Sequence, residues 1–76
     1  GRPTVPDLLL VLPLRGEALT MEADVRELRR LRSQLPGARI VLVDCGLTAD
    51  AKALARYLAE REPGAELMNA KEFRIE

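Results

Sequence analysis

The stretch DLLLVLPL, residues 7–14, is apolar at consecutive positions from Leu8 to Leu14. A strand that is apolar on both faces needs cover on both, which marks a buried, parallel-type strand. Pro13 cannot donate a ladder hydrogen bond and is expected at the strand's end, with Arg15 to Leu19 as a loop. A second run, RIVLV at residues 39–43, has the same two-faced character. A third and weaker run is AELMNA at residues 65–70. Beyond it EFRIE, residues 72–76, alternates polar and apolar and reads either as a short edge extension or as tail.

Helical patterns fill both gaps between these runs. Met21, Val25, Leu28, Leu31 and Leu35 recur at spacings of 4, 3, 3 and 4, one apolar stripe. Thr20 reads as its N-cap, Glu22 and Asp24 suit the positive end of the helix dipole, and Pro36-Gly37 stops the helix. Arg32 falls inside the apolar arc; it either snorkels from the helix end or faces a partner. In the second gap Asp44 to Leu47 reads as a loop and Thr48 as the next N-cap. Ala51, Leu54, Ala55 and Leu58 then form a narrow stripe fit for close packing on a sheet, and Pro63-Gly64 ends it. The pattern is βαβαβ with parallel strands, and both crossovers are expected to be right-handed.

Composition bounds what such a chain can do. Seventy-six residues make one small domain, read as a tail over residues 1–6 and a single unit over 7–76. A domain of this size buries only about 60% of the surface that its unfolded chain exposes. Apolar residues are 47% of the chain, enough for a core. Twelve basic and twelve acidic residues cancel, which speaks against nucleic acid or an acidic membrane as partner. With no His and one Cys, neither a disulfide framework nor a Cys/His zinc site can form within one chain. No run reaches the roughly 20 apolar residues of a membrane span. A lone thiol fits a reducing cytoplasm.

Two strand orders suit βαβαβ. Order 2-1-3 places the helices on opposite faces and protects the first strand in the middle. Order 3-2-1 places both helices on one face, leaving the other bare and the first strand at an edge. An edge reading LLLVL is a template for further pairing, with Leu8, Leu10 and Leu12 as its candidate contacts and Arg32 as another. That order makes a homodimer or a docked partner nearly compulsory; the other only permits one. Patterning alone does not choose.

The loops after the first two strands resemble those of family 2 glycosyltransferases of the GT-A fold. Leu10-Val11-Leu12-Pro13 followed by Arg15-Gly16-Glu17 is similar to that family's strand ending in Pro and its Asn-Glu loop. Ile40 to Thr48 is similar to its second strand ending in Asp-Asp-Gly-Ser-Thr. The likeness spans most of residues 7–70, about the first third of such a catalytic domain. It implies a half-Rossmann-like α/β unit, derived from a three-layer fold, with order 3-2-1. It also implies a nucleotide or nucleotide-sugar site carried over to Pro13, Glu17, Asp44 and Gly46, with Cys45 beside them. Gly16, Cys45 and Leu47 depart from the pattern. The family's metal-binding Asp-x-Asp and catalytic base come later than this chain reaches. The expectation is therefore a non-catalytic module without cofactor or metal.

Each candidate has a plainer reading. Asp44, at the carboxyl end of a parallel strand, sits where open α/β sheets bind ligands; it equally suits bonding the N–H groups of its own loop. Glu17 either converges with Asp44 across the strand tops or stays solvated. Cys45 precedes a helix N-terminus, which can activate a thiol, yet the chain holds no His to act as its base. Arg26, Arg29 and Arg30 could meet phosphate, but Glu22 and Glu27 are spaced to pair with them along the helix.

Overall fold

A computed structural model describes residues 8–73. The expected tail over 1–6, the strand start at Asp7 and residues 74–76 of the stretch read as edge extension or tail lie outside the described residues. The elements run β1 (Leu9–Gly16), α1 (Met21–Arg32), β2 (Arg39–Leu47), α2 (Ala49–Arg61) and β3 (Ala65–Asn69). All strand pairs are parallel and the order is β1-β2-β3, so β2 is central and β1 is an edge.

Register divides each strand between two faces. Leu10, Ile40 and Ala65 form one row and Leu12, Leu42 and Leu67 the next. These rows join Met21 and Val25 of α1 and Ala51, Ala55 and Ala59 of α2 in one core. The alanines let α2 approach the sheet closely; Ala55 is fully buried, and so nearly are Met21, Ile40 and Leu42. Both helices therefore lie over the same face, and they touch each other.

Among the described residues no helix lies on the other face. Its rows are Leu9 with Arg39, then Val11, Val41 and Glu66, then Pro13, Val43 and Met68. Val41 and Val43 lie outside the helix-side core yet are only 3% and 4% exposed, and Phe73, from the turn after β3, borders the same cavity as Val41. Leu9 and Val11 at the edge are 39% and 37% exposed.

Two local expectations need correction. Pro13 is not at the end of its strand but inside it, because an edge strand can spare a donor on its outer side. Arg15-Gly16 and Asp44 to Leu47, expected as loops, are strand: after a shift in register Gly16 pairs with Leu47. Gly46 makes that irregularity affordable at φ +113°, a left-handed region that other side chains rarely adopt. Of the two readings left open for residues 72–76, edge extension or tail, Glu72 and Phe73 do not form the extension. The chain turns after Asn69, and the Phe73 N–H donates to the Asn69 carbonyl at 3.2 Å.

Candidate functional site

The carboxyl ends of the strands gather the residues singled out for ligand binding. Glu17 follows β1 directly and is exposed. It lines an open cavity of about 520 Å³ together with Leu19, Thr48, Asp50, Ala51 and Leu54. The cavity takes in the first turn of α2, which Thr48 caps by accepting the Ala51 N–H at 3.2 Å. Leu19 stands 88% exposed at its rim, after Ala18 in a left-handed conformation at φ +45°.

Asp44 opens elsewhere. Its Oδ1 accepts the N–H of Gly46 at 2.9 Å and of Leu47 at 2.8 Å, and its Oδ2 meets Lys52 Nζ at 3.3 Å. The Leu47 N–H and then the Gly46 N–H hold its carboxyl below the ordinary aspartate value of 3.8; Lys52 adds to this and burial opposes it. Asp44 lines a second cavity of about 260 Å³, beside Lys52, Arg56 and Asn69. Glu17 and Asp44 thus line different cavities, and no cavity among the described residues is lined by both. Both Asp44 oxygens have partners within the chain.

Cys45 is a half-buried free thiol and Gly46 is exposed. Pro13 is exposed on β1, paired with Val43. Among the described residues no group of three or more His, Cys, Asp or Glu is arranged to hold a metal ion. Among them, too, no helix is long and apolar enough to cross a membrane.

The interface candidates divide by parity. Leu10 and Leu12 are half-buried and pack against the core under the helices, and Leu8 is half-buried just before β1. The sheet's exposed apolar residues are instead Leu9 and Val11. Strand alternation was the signal that could have found them: Leu9, Val11 and Pro13 share one parity. Arg32 is spent inside the chain, donating to the Pro63 carbonyl and the Glu62 carboxylate. Arg29 Nε joins the same carboxylate at 2.8 Å. On the outer surface of α1, Arg30 pairs with Glu27, as their spacing suggested.

On the open face, Leu9, Val41, Met68 and Phe73 surround a shallow cavity of about 290 Å³, closed at one end by the ion pair of Arg39 and Glu66 at 2.6 Å. No protein-family model, curated protein or solved structure matches the chain.

Proposed function

We propose that this chain is a non-catalytic α/β interaction module whose partner is a second copy of itself. The observation that carries the reading is the one-sided sheet. Among the described residues both helices cover the Leu10–Leu12 face, the Val11–Val41 face has no helix and β1 has no strand beyond it. A free edge strand this apolar, without an inward charge, is a template for pairing. A domain that buries so small a share of its surface also gains more than most from further burial. Light scattering across a concentration series tests the reading: the mass should rise toward that of two chains.

A second reading rests on Glu17, which lines the larger cavity at the ligand-binding end of an open α/β sheet. On this reading the chain is a weak nucleotide or nucleotide-sugar domain related to family 2 glycosyltransferases, or a piece of such an enzyme. With the Asp44 carboxylate engaged by the end of its own strand, contact would fall to Glu17 and to backbone groups. Amide spectra titrated with uridine and guanosine diphosphates, with and without manganese, decide it. Shifts confined to residues 13–17 and 44–48 support a site; an unchanged spectrum removes it.

A further inference from the structure

Among the described residues no strand lies beyond β1, and that edge has a defined bonding pattern. The Arg39 N–H donates to the Leu8 carbonyl at 3.0 Å, and Leu9 is paired with Arg39. In a parallel ladder alternate residues turn both backbone groups to the same neighbour. Leu8, Leu10, Leu12 and Leu14 therefore address β2, and Leu9, Val11 and Pro13 address the outside. Leu9 and Val11 each offer a donor and an acceptor there, whereas Pro13 offers a carbonyl alone.

We infer that two copies join β1 to β1, antiparallel, about a two-fold axis through Leu10, making one six-stranded sheet. This inference rests on the self-association proposed above and names its surface and register. In an antiparallel pair, outward-facing residues opposite one another exchange two hydrogen bonds. Symmetry then requires the axis to pass through a residue. An axis at Leu10 sets Leu9 opposite the partner's Val11 twice over, and all four bonds form. An axis at Val11 also forms four bonds, two between the Val11 copies and one from each Leu9 N–H to the partner's Pro13 carbonyl. Whereas the axis at Leu10 leaves over only the Pro13 carbonyls at the ladder's end, the axis at Val11 leaves each Leu9 carbonyl facing a proline ring inside the ladder. An axis at Leu12 does the same to Val11. Pro13 thus selects the Leu10 register.

The side chains fit the same geometry. Leu9 and Val11, the exposed apolar residues of the sheet, become cross-strand neighbours on the open face. On the helix side Leu10 and Leu12 are half-buried, and Leu31 of α1 is half-buried outside the core. Leu31 lies about 200° around the helix from Arg29, which reaches across to Glu62 at the end of α2. Leu31 is therefore on the flank turned away from α2, on the β1 side. Apolar groups border the edge above and below, as an interface core requires. The chain carries no net charge, so two copies approach without long-range repulsion. A two-fold axis normal to the sheet keeps all four helices on one face.

Two measurements test the pairing. On the unmodified protein, amide exchange of Leu9 and Val11 should slow as concentration rises. In a Cys45→Ser background, Leu10→Cys should close a disulfide between copies under mild oxidation, since residues facing each other on the axis have Cα atoms about 4.5 Å apart. Val11→Cys should not, because its two copies are diagonal, about 7–8 Å apart. A dimer whose Leu9 and Val11 amides stay unprotected, or that crosslinks through Val11→Cys and not Leu10→Cys, overturns the pairing and leaves self-association standing. A chain that stays monomeric at every concentration overturns both.

Discussion

Asp44 spends one oxygen on two backbone N–H groups and the other on Lys52, so its charge is tied to the end of β2. Its folded-state pKa is depressed, chiefly by the Leu47 N–H. The stability that this linkage supplies is present above the unfolded value and is lost as pH falls through the lower folded one. Urea midpoints measured from neutral pH downward should show wild type falling below about pH 4. Asp44→Asn, which keeps an acceptor without the charge, should be less stable at neutral pH and should fall less steeply. Parallel curves would contradict this role. The two N-caps show what the sequence conceals at this scale. Thr20 and Thr48 give the same signal, yet only Thr48 accepts a helix N–H. Thr20 has φ −99° and ψ 12° and donates its hydroxyl to Asp24 Oδ2 at 2.8 Å. Behind it Ala18 is left-handed and its carbonyl takes the Met21 N–H. That competition depends on how the chain leaves β1, which a cap motif does not encode.

At the scale of elements, Arg32 fastens the end of α1 to the end of α2. Its guanidinium bonds both the Glu62 carboxylate and the Pro63 carbonyl, and its side chain is 21% exposed against 58% for Arg29. Gly64 belongs to the same joint: it sits at φ +77°, and a Cβ there would come within 3.2 Å of Arg32 Nη1. Arg32→Met should cost about 1–3 kcal/mol, since it removes charged hydrogen bonds in a half-buried setting. Arg29→Met should cost about 0–1 kcal/mol, as an exposed pair. Equal losses by chemical denaturation would show that the joint does not depend on Arg32. The elements themselves were legible: two strands apolar on both faces, two helical stripes and the Pro-Gly stops gave βαβαβ. The strand ends were not, because Gly16 pairs with Leu47 across a register shift that leaves no mark in hydropathy.

At the scale of the molecule, order β1-β2-β3 leaves both helices on one face, and the open face and free edge follow from it. Patterning left that order undecided, and the resemblance read in the loops implied it. Pro13 carried a further signal, since a proline within a strand belongs at an edge. The candidate ligand site was less legible than the fold: fold position brought Glu17 and Asp44 to the same end of the sheet, and side-chain bonding then set them apart. Self-association through β1 is decided by sedimentation equilibrium of wild type beside Val11→Lys. Val11 is an exposed edge residue, so the lysine should change folding by no more than about 0.5 kcal/mol. Wild type should approach the mass of two 8.4 kDa chains as concentration rises, while folded Val11→Lys stays at one. A wild type that remains at 8.4 kDa throughout, or a variant that dimerises as well as wild type, would contradict it.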